Sequence, residues 1–242
     1  MSGLQTIVLT SGTSWSRPAN CPNILTSVEC WGGGAPGIDA DSAVCAGGGG
    51  GAYSVKLNYS IGNQSSIAIQ IPGSTTYNNN PVDTWFDNSS TGILAKSGSG
   101  QNGGVAASCV GTTAYSGGQG GNGAVYGGGG GGGSATKNSN GNNGTNGGAS
   151  DGGTGGNAGT GGGSGGTAPR GDGTSNVEGG GGGGGNKYYN TGTSGAGGAP
   201  GGGGGGSDYG YGSSGAGARG QIRITYYPRT GVISSHLLTL CN

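Results

Sequence analysis

From Gly141 to Gly165 glycine recurs at every third residue. Gly141, Gly144, Gly147, Gly153, Gly156, Gly159, Gly162 and Gly165 keep the phase, and only Ser150 breaks it. A three-residue period belongs neither to an α-helix nor to a β-strand, whose periods are 3.6 and 2. It is the repeat of a polyproline-II-type helix, left-handed and rising ~3.1 Å per residue. Glycine at each third position strips one edge of such a rod, so that a neighbouring backbone can come close. Residues 117–210 hold 46 glycines among 94 residues, with unbroken runs at 127–133, 179–185 and 201–206. An unbroken run is bare on every edge and keeps every N–H for bonds to neighbours. Collagen is excluded, because it needs roughly 15–20% proline and the whole chain has 8 prolines. The runs, with the triplet stretch 153–166, read as rods of roughly 20–40 Å. The polar segments 136–140, 167–178, 186–194 and 207–214 between them suit reversals of direction. A Gly/Ser-rich stretch also reads as a flexible linker, but one of 105 residues inside a single domain would be out of place.

The remaining apolar residues say what holds the ends of this segment. Leu, Ile, Val and Phe number 30 in 242 residues, too few for a conventional core of that size. Residues 1–116 contain 21 of them, 117–221 only Val125 and Val177, and 222–242 seven. The strand signals lie in the outer parts. Thr6-Ile7-Val8-Leu9-Thr10 is a compact apolar run, and Ile24 to Trp31 offers Ile24, Leu25, Val28 and Cys30 as buried positions. Tyr53, Val55 and Leu57 alternate on one face, as do Ile67, Ile69 and Ile71, and Ile222, Ile224 and Tyr226. The expected fold is all-β: a small antiparallel β-sandwich, jelly-roll-like, carrying a bundle of polyglycine-II helices. Its divisions are a β-sandwich portion at 1–116, the glycine-rich bundle with its loops at 117–221, and a closing strand and tail at 222–242.

Several function classes fall away. Charged residues make up 7% of the chain and its net charge is zero, so there is no basic patch for nucleic acid. No apolar run approaches the ~20 residues of a membrane helix, so no membrane insertion is expected. Residues 1–12 lack the basic and apolar regions of a secretory signal, which points to synthesis in a cytoplasm. The single histidine, His236, makes a Ser/His/Asp triad and His-rich metal sites improbable, and there is no Gly-Lys dipeptide for a phosphate loop. Asp39 and Asp41 read as solvated turn acids more readily than as a cation site. Cys21, Cys30, Cys45, Cys109 and Cys241 show no Cys-x-x-Cys spacing, so zinc is unsupported; buried free thiols are expected, with a Cys30–Cys45 bridge as the alternative. Arg170-Gly171-Asp172 reads as a turn. No enzyme activity, cofactor or metal is expected.

Recognition residues are better marked. Tyr126, Tyr188, Tyr189, Tyr209 and Tyr211 adjoin glycine runs, with Lys187 and Asp208 beside them. Tyrosine among Gly, Ser and Asn is the composition of binding loops, where a rigid ring gives contact area at low entropy cost. The same rings could instead cover the flanks of the bundle in place of a core.

Two stretches carry a family resemblance. Ser14-Trp15-Ser16-Arg17-Pro18, then Leu25 to Gly34 ending in Cys30-Trp31-Gly32-Gly33-Gly34, resemble the opening of the glycine-rich domain of bacteriophage tail fibres. Gly47 to Tyr53 and Gly215-Ala216-Gly217-Ala218-Arg219-Gly220-Gln221-Ile222-Arg223-Ile224 resemble its later elements, so the likeness spans roughly residues 4–227. The glycine block is also similar to the polyglycine-II adhesins at the tips of long tail fibres of T-even-like phages, while the β portion departs from them. The resemblance implies a virion protein, made in the host cytoplasm and acting outside it. Its loops would bind a bacterial cell-surface receptor, a glycan or an outer-membrane protein, and other virion proteins would be partners. Two other readings stay open. One is a structural decoration, fibre or filament subunit, forming a homo-oligomer through the apolar tail 231–240. The other is an ice-binding protein, for which the Tyr- and Lys-bearing interruptions are ill suited.

Overall fold

Among the described residues nine strands make two antiparallel sheets; five form where the sequence signals stand, and the short strands Ser14–Ser16, Thr84–Phe86, Ile93–Ala95 and Thr113–Tyr115 carry no such signal. A computed structural model describes residues 3–39, 45–77, 79–124, 126–189, 191–208 and 212–229. In the five-stranded sheet the order is β1 (Gln5–Leu9), β9 (Gln221–Tyr226), β3 (Ile24–Trp31), β4 (Tyr53–Ser60) and β8 (Thr113–Tyr115). The four-stranded sheet runs β2 (Ser14–Ser16), β5 (Ser66–Gln70), β6 (Thr84–Phe86) and β7 (Ile93–Ala95). Leu25, Val28, Cys30, Ile222 and Ile224 from the first sheet share one buried apolar cluster with Trp15, Ile67, Ile69, Phe86 and Ile93 from the second. β9 lies between β1 and β3, so the last described strand closes against the first.

Two sets of apolar positions depart from expectation. Ile24 is 57% exposed, whereas Leu25 and Val28 are fully buried. Thr26 and Asn58 drop out of the β3–β4 register, and Asn58 has a φ of 51°. Across this interruption of the ladder Leu25 and Val28, three residues apart, both face the same core. Tyr53, Val55 and Leu57 do share a face, but it is the one turned away from the sandwich core: Tyr53 is buried there beside Trp31 and Ala135, while Leu57 is 60% exposed.

The glycine segments lie side by side and bond sideways. In 127–135, successive amides from Gly128 to Ala135 donate in rotation to three neighbours: Gly128, Gly131 and Ser134 to Asn186, Gly183 and Gly180; Gly129, Gly132 and Ala135 to Cys45, Gly48 and Gly51; Gly130 and Gly133 to Thr145 and Asn142. Its carbonyls accept in the same rotation from 118–121, 153–159 and 203–206. One rod therefore touches six others, and each bond repeats after three residues, as a three-fold helix requires. A Cβ on Gly131, Gly132 or Gly133 would lie 2.0–2.1 Å from a carbonyl oxygen of three different neighbours. Only glycine permits that approach.

Glycine content tracks the number of neighbours. The runs 179–185 and 201–206 each have six, like 127–135. Among the described residues the segment 141–147, with glycine at one position in three, bonds to three: 116–122, 130–133 and 151–157. Where an edge lacks a neighbouring rod, side chains take over its hydrogen bonds. The Oδ1 atoms of Asn140, Asn143 and Asn146 accept from the N–H groups of Ser116, Gln119 and Asn122 at 2.8–2.9 Å.

The lattice differs from the sequence expectation in three respects. It extends beyond 117–221, because 32–38, 45–52 and 96–104 join it; Gly48 donates to Gly204, and Gly98 to Gly33. The stretch 153–166 is two rods, turned at Gly159–Gly162 by a Gly162-to-Gly159 bond and a φ of 86° at Gly161. Within 167–178, residues 171–174 form a further rod rather than only a reversal, since Gly173 donates to Ala196 and Thr174 to Ser164.

A charged cluster fastens sheet to lattice. Arg223 on β9 grips Glu29 on β3 through two bonds of 2.6 and 2.7 Å, and reaches Glu178, in the loop before 179–185, at 2.9 Å. Tyr53 donates to Glu29 at 2.7 Å, and the Trp31 indole donates to the Glu178 carbonyl at 2.9 Å with the Arg223 guanidinium over its ring. Burial raises the Tyr53 hydroxyl's pKa, and the Glu29 carboxylate raises it further, so Tyr53 stays a donor. Trp31 and Tyr53 also pack on Ala135 at the end of the central rod.

Cys30 and Cys45 do not pair; both are free and buried, one in the shared core and one in the lattice. Desolvation pushes up both thiols, and Asp208 pushes Cys45 further.

Candidate binding site

The rods run lengthwise from the sheets, so their connections gather at two ends. Ala135 marks the end against Trp31 and Tyr53, and Gly127 the opposite one. At the opposite end lie residues 126–127, 148–151, 168–171, 187–189 and 191–193. Ala124 donates to Gly127, Gly148 to Asp151, Gly171 to Thr167, and Tyr188 to Ser150 at 3.2 Å.

Four of the seven sequence candidates belong to this end and are surface-accessible. Tyr126 and Tyr188 have ring centroids 4.2 Å apart, and Tyr188 and Tyr189 3.8 Å apart, so three rings from two loops form one cluster. Tyr189 is 62% exposed with φ 55°, and Tyr126 is also exposed. Lys187 stands exposed beside them, its backbone N–H bonded to Asn186 Oδ1 at 3.0 Å.

Asp208 is placed otherwise. It is fully buried, and its Oδ1 faces the Asn186 amide at 3.4 Å, while that amide also donates to the Gly192 carbonyl at 2.9 Å. Asp208 thus supports the loop 187–193 from below and does not reach its surface. The reason is the glycine run before it, which carries the chain through the interior of the lattice up to that point. Tyr209 and Tyr211 lie outside the described residues, as do Asp41, His236, Cys241 and the tail 231–240.

Arg170, which the sequence places in a turn, also belongs to this end. It has φ 64° and donates its N–H to Gly185, and a Cβ on Gly192 would overlap its guanidinium. Its side chain therefore packs over the tyrosine loop. Two cations, three phenol rings and the exposed Asp151 carboxylate share the end. The arrangement suits hydrogen bonding and stacking. Among the described residues, no group of three or more His, Cys, Asp or Glu could hold a metal, and no helix is long and apolar enough to cross a membrane.

No protein-family model matches the chain, and no curated protein matches it significantly.

Proposed function

We propose that the protein is a bacteriophage virion component, a tail-fibre or adhesin module that binds a host-cell surface receptor through the loops at one end of its glycine lattice. The gathering of Tyr126, Lys187, Tyr188 and Tyr189 at the end remote from the sheets carries this reading. Rings clustered on short loops supply contact area with few rotatable bonds, and the rods beneath hold them in place. The composition of the glycine block and its resemblance to tail-fibre domains support the phage setting. The receptor is a glycan or an outer-membrane protein of the bacterial surface. Replacing Tyr126, Lys187, Tyr188 and Tyr189 together by Ser is expected to abolish adsorption of the protein to host cells while leaving its circular dichroism unchanged. Undiminished adsorption by that folded variant would overturn the assignment.

A structural virion or filament subunit is the second reading, favoured by the exposed Val8 and Leu57 on the outer face of the five-stranded sheet. It requires an oligomer that dissociates on Val8→Asp with Leu57→Asp; a monomeric native chain would contradict it.

A further inference from the structure

A groove lies on the four-stranded sheet, away from the tyrosine loops. The cross-strand row Gln70, Trp85, Leu94 places these three residues on the outer face of the four-stranded sheet, since the residues alternating with Trp85, Thr84 and Phe86, are buried. The groove, of about 620 Å3, opens over them. That volume falls within the roughly 300–1,000 Å3 of small-molecule sites. Its floor is the half-buried Trp85 indole, and its walls carry Asp83, Lys96 and Asn80.

The walls are fixed before any ligand arrives. Asp83 accepts from the Ser97 N–H at 2.9 Å and pairs with the Lys96 ammonium, while Gln70 donates to the Asp83 carbonyl at 2.9 Å. Asn80 Oδ1 accepts from the Gly100 N–H at 2.9 Å. Ser97 Oγ donates to the Val82 carbonyl and accepts from Gly33, tying the groove to the lattice. Pre-set donors and acceptors lower the ordering cost of binding.

We propose that this groove binds a neutral saccharide. An indole offers a π surface to the weakly positive C–H face of a sugar ring. Around it a carboxylate, an ammonium and two amides present both hydrogen-bond acceptors and donors, the pairing that hydroxyl groups need. Asp83 and Lys96 cancel in charge, which disfavours phosphorylated or acidic ligands. The site does not depend on the tyrosine cluster.

Trp85 also supplies the readout. Trp15 is 5% exposed and Trp31 fully buried, whereas Trp85 lines the groove, so a ligand there alters the emission of one tryptophan. The test is to apply the full chain to an array of purified bacterial polysaccharides and then titrate oligosaccharide fragments of the bound ones, following tryptophan emission. The expected result is saturable binding with a change in emission, weakened about tenfold or more by Trp85→Ala, as for an aromatic anchor. Val82→Arg at the exposed lip would block it without touching the core. Binding would persist in 1 M salt and in the variant lacking the tip tyrosines. The proposal fails if no polysaccharide binds, if both groove variants bind as well as the native chain, or if affinity collapses with salt.

Discussion

A single methyl group distinguishes a close-packed lattice from a pliable linker. At Gly131 an added Cβ would stand 2.1 Å from the Gly203 oxygen, and backbone cannot rotate out of the way as a side chain can. Gly131→Ala is therefore expected to cost about 3 kcal/mol or more in urea denaturation, at the upper end of overpacking penalties. At Gly73 nothing lies within 4 Å of the added carbon, and Gly73→Ala should stay within about 0.5 kcal/mol of the native chain. Equal effects at the two sites would argue against close packing. Charge acts at the same scale. Burial pushes the Glu178 carboxyl up, but hydrogen bonds and charge from Arg223, with Lys137, outweigh this and leave it below the usual glutamate range. A depressed carboxyl stabilises the fold above its unfolded value of about 4.3, and that contribution is lost as pH falls through the folded value. Native protein should thus melt higher than Glu178→Gln at pH 7, the gap closing between pH 5 and 3. A gap independent of pH would show that the ion pair contributes nothing.

At the scale of elements, legibility differed sharply between strands and rods. Ile67 and Ile69, or Ile222 and Ile224, alternate because a two-sided sheet buries every second residue, and their strands could be read directly. The three-residue glycine phase revealed the rods but not their ends. It runs on unbroken through the turn at Gly159–Gly162, because a turn rich in glycine does not interrupt a glycine period. Gly32–Gly34 and Gly47–Gly51 are too short to show a period, so their membership of the lattice is apparent only in three dimensions. Asn140, Asn143 and Asn146 carried a usable signal, since asparagine at a spacing of three on a glycine rod marks an edge without a neighbour. Each Asn→Ala change there should cost about 0.5–1.5 kcal/mol by thermal or chemical denaturation, the usual net worth of one hydrogen bond. No loss from the triple variant would mean that water replaces the ladder fully. Of the candidate site, the placement of Tyr126, Lys187, Tyr188 and Tyr189 at rod ends was legible from their position beside glycine runs. The burial of Asp208 and the approach of Arg170 were not, because both depend on which rods are neighbours.

On the scale of the whole molecule, the β portion and the lattice depend on each other. Ordering a glycine costs about 1–2 kcal/mol of backbone entropy, and its rod has almost no side chains to bury in return. The sheets reduce that handicap by bringing distant segments to one place: β3 leads directly into 32–38, 45–52 leads directly into β4, and the last rod leads directly into β9. The cluster of Glu29, Arg223 and Glu178 then joins a strand pair to a lattice loop. Such a frame holds the tyrosine loops at the end remote from the sheets. The most direct test is native-state hydrogen exchange of the glycine amides in 128–135 and 180–186. If they form the interior of a cooperative lattice, they exchange only through global unfolding, slower than an unstructured glycine peptide by on the order of 10^4-fold or more. Exchange within about tenfold of the free peptide, with β3 and β9 still protected, would contradict the account.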